Sequence, residues 1–111
     1  MNDLTQKKCV ACEGNVKPMD EPRIKKYLAQ VKVWALLDGK VKKIAREFKF
    51  KNFKEAMAFV NKVADLAESE GHHPDILVHG WNNVRITLYT HAIGGLSEND
   101  FIMAAKAGKL I

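Results

Sequence analysis

All four histidines of the chain fall within "EGHHPDILVHGWNNVRITLYTH", Glu70 to His91, and two of them, His72 and His73, are adjacent. Imidazole is the side chain whose ordinary titration lies nearest neutrality, so such a group suits proton transfer, metal ligation or hydrogen bonding to loose backbone ends. Three imidazoles can hold a catalytic zinc with its fourth position open. Neighbouring residues of an extended chain point apart, however, and no "HExxH" pattern or carboxylate at a familiar ligand spacing accompanies them. For an isolated histidine at a helix-to-strand junction a structural role is the simpler expectation. Here the pair follows a helix that delivers Glu68 and Glu70, and His91 stands where a strand runs into Gly94-Gly95. Rigid scaffolds commonly present functional side chains at such places. If strand pairing joins the two segments, three imidazoles converge into an acid–base cluster. His79 alternates with Val78 and reads as a solvated sheet residue.

The elements that must bring these segments together are legible as patterns. Asp20 can cap a short helix whose first turn tolerates Pro22 and whose Ile24, Leu28 and Val31 recur at helical spacing. "VKVWALL" and "VKKIAREFKF" read as two antiparallel strands joined at Asp38-Gly39, a dipeptide suited to a tight hairpin. Asn52 with Glu55 forms a capping pair ahead of a long helix. Its apolar stripe is Phe53, Met57, Val60, Ala64 and Ala67, broadened by Ala56, Phe59 and Val63, and Gly71 ends it. Pro74 prevents resumption, and "DILVHGW" and "NVRITLYT" form a second strand pair. Val84, Ile86 and Leu88 share one face of the last strand, with Arg85, Thr87 and Tyr89 on the other. The capping box Ser97-x-x-Asp100 opens a closing helix that turns Phe101, Ile102 and Ala105 inward. The expected fold is α+β: a four-stranded antiparallel sheet with helices packed on one face, in the order α-β-β-α-β-β-α.

At 111 residues with 47% hydrophobic residues, one domain over 20–111 is expected, with 1–19 as a loosely attached extension carrying Cys9 and Cys12. Two cysteines spaced as "CVAC" are too few to staple a secreted fold, and no apolar run approaches a membrane span, so a soluble cytoplasmic protein is expected. The net charge of +5 is spread as "KK" pairs among interleaved acidic residues and reads as a solvated surface, not a nucleic-acid face.

"EGHHPD", "WNNVRITLYTHAIGGLSENDFIMAAK" and the upstream "FKFKNFKEAMAFVNKVADLAE" closely resemble the pterin-4a-carbinolamine dehydratases. The resemblance runs from about Trp34 to Lys106, several separated motifs keep their order, and the "CVAC" extension resembles that of some bacterial members. It implies loss of water from a 4a-hydroxytetrahydropterin to give a quinonoid dihydropterin, in support of tetrahydropterin recycling after aromatic amino acid hydroxylation. It implies His72 and His91 as proton-transfer residues and His73 as the residue holding the pterin. Glu68 matches the acidic residue ahead of the pair, Pro74 and Asp75 shape the start of the next strand, Trp34 matches an aromatic beside the site, and Asp100 matches the acid of the last motif, where its capping position already explains it. No metal ligand set and no cofactor are expected. The expected partners are the pterin substrate and a second copy of the chain, as a homodimer that can pair into a homotetramer. Two departures stand out. Ile76 occupies a position where many members carry an aromatic, and the loop before "NVRITL" is one residue longer than in the animal enzymes, which makes Trp81 a candidate for the missing ring. Two other functions are compatible with the resemblance, a pterin-binding role in molybdopterin metabolism and a dimerisation or transcriptional cofactor role.

Overall fold

The computed structural model describes residues 3–10 and 17–111; Cys12, and with it any pairing of Cys12 with Cys9, lies outside the described residues. Helix α1 spans Glu21–Leu28, β1 Ala35–Leu37, β2 Lys43–Lys49, α2 Phe53–Glu70, β3 Asp75–His79, β4 Asn83–Leu88 and α3 Glu98–Gly108. The α-β-β-α-β-β-α order is as expected. The strands form one antiparallel sheet in the order β1-β2-β4-β3, so each hairpin contributes one central and one edge strand.

Register sorts the two faces of the sheet. Ile44 lies opposite Leu88, Arg46 opposite Ile86 and Phe48 opposite Val84, and all but Arg46 are buried in the core. The helices cover this face: Ala56, Phe59, Val63 and Ala67 of α2 and Phe101, Ile102, Met103, Ala104 and Ala107 of α3 join the same cluster. Phe59 packs its ring 4.6 Å from Phe48 and 5.0 Å from Phe50, centroid to centroid. Burying an apolar side chain of this kind stabilises by about 1.5–3 kcal/mol. Glu47 and Arg85, one position along, are exposed on the other face.

Three local expectations shift. The contact face of α2 runs along Ala56, Phe59, Val63 and Ala67, about one position round from the expected stripe, and leaves Phe53 53% exposed. Small residues on that face let the helix approach the sheet, whereas Phe53 opens the helix at the margin of the core. The first hairpin has no two-residue turn at Asp38-Gly39. Leu37 pairs with Lys43, so residues 38–42 form the connection. The strand is short because Val31 and Trp34 are taken into the core through turns, with Val31 N–H donating to Leu28 O and Trp34 N–H to Val31 O. The N-terminal segment is also closer than a loose arm. Leu4, in a 3-10 turn over Leu4–Gln6, is part of the core, and the turn packs against α3.

Candidate active site

Helix α2 ends where Gly71 adopts a left-handed conformation (φ 67°), the region glycine enters without steric cost. Gly71 and His72 both donate their N–H to Ala67 O, at 2.9 and 3.3 Å, which turns the chain out of the helix and leaves His72 beside α3. Pro74 then forces extended backbone into β3.

His72 Nε2 lies 2.7 Å from Asp100 Oδ1, with the histidine side chain 11% exposed and the aspartate fully covered. The other oxygen, Asp100 Oδ2, accepts from Ser97 N–H at 2.9 Å and from Thr90 Oγ1 at 2.8 Å. Asp100 therefore caps α3, as its spacing from Ser97 required, and also holds His72. A carboxylate on one ring nitrogen fixes which tautomer the imidazole adopts and leaves Nδ1 for other chemistry.

The same carboxylate reaches the third histidine through the backbone. Thr90, anchored to Asp100, precedes His91, and Thr90 and Gly95 exchange backbone hydrogen bonds around the 3-10 turn His91–Ile93, closed by Gly94 at φ 66°. His91 is exposed. Tyr89 stands beside it, with its hydroxyl 3.4 Å from His91 Nδ1 and the rings edge to face at 6.0 Å. The Lys43 ammonium lies over the Tyr89 ring, 4.5 Å from its centroid. Thr90 and Tyr89 carry no role in the sequence reading, although both belong to the "YTH" ending quoted there. Thr90 is singled out only by which side chains Asp100 can reach, and Tyr89 only by which ring stands beside His91.

His73 points elsewhere. Its Nε2 lies 2.5 Å from Glu68 Oε2, one α2 turn back, and both side chains are largely exposed. Adjacent histidines therefore diverge, as extended geometry requires, and each has its own carboxylate. Pro74 is half-buried, and Asp75 starts β3 opposite Thr87 on the exposed face. Trp34 is not among this group. It is 4% exposed, packs edge-on to Phe48 at 6.2 Å and stands just before β1, at the edge of the sheet opposite β3. Three strand spacings, roughly 14 Å, separate those edges. Trp81 is also distant. Its hairpin loop, between the paired His79 and Asn83, lies at the opposite end of β3 from Asp75, and the ring is 62% exposed on a residue at φ 59°. It does not supply a ring to the histidine end within this chain.

His79 is on the exposed face, with Nε2 2.7 Å from Glu47 Oε1, and Arg85 Nε contacts the other oxygen of Glu47. The His79 hydrogen bond, against an opposing burial effect and with the help of Arg85, holds the Glu47 carboxyl below its ordinary value. Among the described residues no three His, Cys, Asp or Glu side chains are grouped to hold a metal ion, and no helix is long and apolar enough to cross a membrane.

Fold and site together define an α+β domain in which a buried carboxylate holds one imidazole and anchors the turn that presents another. The chain belongs to the pterin 4 alpha carbinolamine dehydratase family, whose profile matches residues 17–110. It is 48% identical over 110 residues to a candidate pterin-4-alpha-carbinolamine dehydratase of Alkaliphilus metalliredigens, covering 98% of this chain and 96% of that one. It is also 48% identical over 110 residues to pterin-4-alpha-carbinolamine dehydratase 2, mitochondrial, of Arabidopsis thaliana, covering 97% of this chain and 59% of the plant protein. Among solved structures, the transcriptional coactivator/pterin dehydratase of Brucella melitensis superposes with a TM-score of 0.78 at 34% identity, over 85% of this chain and 98% of that one. A pterin dehydratase-like protein described as a RuBisCO assembly factor in the alpha-carboxysome superposes with a TM-score of 0.60 at 31% identity, over 69% of this chain and 87% of that one.

Proposed function

We propose that this protein dehydrates a 4a-hydroxytetrahydropterin, using His72 and His91 for proton transfer and His73, with Glu68 behind it, to hold the pterin. The C4a–O bond breaks as the hydroxyl takes a proton and leaves as water. The N5–H proton is removed, and its electron pair forms the C4a=N5 bond of the quinonoid dihydropterin. The step is redox-neutral, so its balance calls for no oxidant or reductant. Hydroxide is a poor leaving group, and an acid and a base titrating near the working pH lower the barrier at both ends of the elimination. The observation that carries this reading is the His72–Asp100 pair at 2.7 Å, because a covered carboxylate that fixes one imidazole nitrogen readies the other to accept a proton. Family membership supplies the substrate class. Tetrahydropterin recycling is the accompanying physiological role, and the working unit is a homodimer, since β1 and β3 form the two outer edges of the sheet.

The test generates the 4a-carbinolamine in situ and follows its dehydration by absorbance, with circular dichroism as a fold check. His72→Ala and His91→Ala should each lower kcat by about 10²-fold or more, whereas His73→Ala should chiefly raise KM. His79→Ala, on the other face of the sheet, should match wild type. Full turnover by folded His72→Ala and His91→Ala proteins would remove the catalytic assignment.

A further inference from the structure

The segment ahead of the family-matched span touches both elements that hold the His72–Asp100 pair. On α3 it engages two successive residues just before Asp100. Lys7 Nζ lies 2.7 Å from Glu98 Oε2, which also accepts from Tyr27 OH at 2.8 Å. Asn99, which is buried, clamps Val10 by both ends of its amide: Val10 N–H donates to Asn99 Oδ1 at 3.0 Å and Asn99 Nδ2 donates to Val10 O at 2.5 Å. Cys9 adds a thiol contact to Asn99 O at 3.6 Å. On α2 the partner is Glu70, two residues before His72. Its Oε1 accepts from Cys9 N–H at 2.8 Å, and its Oε2 lies 2.6 Å from Lys106 Nζ, so one carboxylate links the N-terminal segment, the end of α2 and the body of α3. Leu4, buried against α3, anchors the start of the same segment. Asp100 and His72 thus sit on two backbone segments that are each gripped by residues 7–10, and the family profile begins only at residue 17.

We infer that residues Leu4–Val10 are a positioning strap, which holds the end of α2 and the first turn of α3 at the separation the His72–Asp100 hydrogen bond requires. The strap touches no substrate and acts through Glu70 and Asn99. A bond of 2.7 Å tolerates little drift between its two supports, because a hydrogen bond weakens steeply as distance and angle depart from their optimum. The inference rests on the proposed dehydratase reading for its kinetic consequence but not for its structural one.

The experiment is therefore read twice, on full-length protein. Val10→Pro removes the N–H that Asn99 accepts and leaves α2 and α3 intact. Val10→Ala keeps the backbone bonds and serves as control. A second variant, Glu70→Gln, weakens the link to Cys9 and Lys106 without changing side-chain size. The first readout is the His72 Nε2–H proton in nitrogen-edited NMR, protected from solvent exchange while Asp100 holds it. The second is steady-state dehydration. For Val10→Pro and Glu70→Gln the strap predicts faster exchange of that proton and a fall in kcat of about three- to tenfold, the effect of weakening one hydrogen bond, with KM unchanged. Val10→Ala should match wild type in both. In an active wild type, either readout staying at its wild-type level in both perturbed variants overturns the inference. A wild type without dehydratase activity whose His72 signal still responds to Val10→Pro upholds the strap and rejects the activity.

Discussion

Asp100→Asn is the sharpest perturbation of the site, because it changes one atom and reverses one proton. The carboxylate takes two donors on Oδ2, Ser97 N–H and Thr90 Oγ1, and faces His72 Nε2 with Oδ1. An asparagine side chain has one acceptor oxygen and one donor nitrogen. It satisfies the two donors only by placing its oxygen where Oδ2 was, which turns its NH2 toward His72. His72 Nε2 must then accept, so the proton moves to Nδ1, the nitrogen otherwise open to substrate. Every hydrogen bond keeps a partner, and the stability loss is confined to replacing charge-assisted bonds with neutral ones, about 1 kcal/mol. For a chain of 111 residues that lowers Tm by about 3–6 °C. The kinetic loss should be far larger. A histidine with its proton on the wrong nitrogen is absent as a base, which costs about 10²–10⁴-fold in kcat. Rapid-mixing absorbance on the carbinolamine measures the rate, thermal circular dichroism the stability, and nitrogen NMR the tautomer. A folded Asp100→Asn protein with kcat within about threefold of wild type would refute the role given to the pair.

Two further outcomes concern the strap. Burial pushes the Glu70 carboxyl up, but the Cys9 N–H and the Lys106 ammonium outweigh it, so the group stands below its ordinary value in the folded protein. Its contribution to stability is then complete above about pH 4.3, the unfolded carboxylate value, and is lost as pH falls through the lowered folded one. In urea unfolding, Glu70→Gln should be less stable than wild type near pH 6 and show a smaller deficit near pH 3; a deficit independent of pH would contradict this. Burial, and after it the charge of Glu70, pushes the Cys9 thiol up to about 12. In a Cys12→Ser background, alkylation of Cys9 near pH 8 should run about 10³-fold slower in folded than in unfolded protein, because the thiolate is the reactive form. Equal rates would show that the thiol is not held in this way.

The element order was legible because caps, glycines and the two hydrophobic periods agree along most of the chain. Asn52, Gly71 and the Ser97-Asp100 spacing mark helix ends that the structure reproduces. Exact faces were less legible. A helix with apolar residues on both sides of a stripe does not say which side meets the sheet, so Phe53 was placed inward and proved exposed. The β1 strand read too long because buried coil and strand are equally rich in Val and Trp. In the site, residue types pointed to His72, His73 and His91, but partner choice depends on tertiary geometry. Capping accounted for one oxygen of Asp100 and the resemblance marked the residue, but the contact of its second oxygen with His72 has no local sequence signature. Trp34 and Trp81 show the reverse problem: each sits near the motif in sequence or by resemblance, but the sheet places Trp34 at the edge opposite β3 and Trp81 at the far end of β3.

The strand order β1-β2-β4-β3 also sets how the chain must find this fold. The central partners are far apart in sequence, 34 positions for Lys49 with Asn83 and 44 for Ile44 with Leu88. Either hairpin can zip locally, but neither contains the middle of the sheet, so the sheet exists only after a long loop has closed. Helix α2 supplies 18 of the residues inside that loop. Formed early, it replaces more than half of the flexible segment between β2 and β4 with a rod about 27 Å long, and so reduces the entropic cost of closure by about 0.7 kcal/mol. The helix whose last turn delivers Glu68 and Glu70 to the site is thus also the strut that brings the two halves of the sheet within reach of each other.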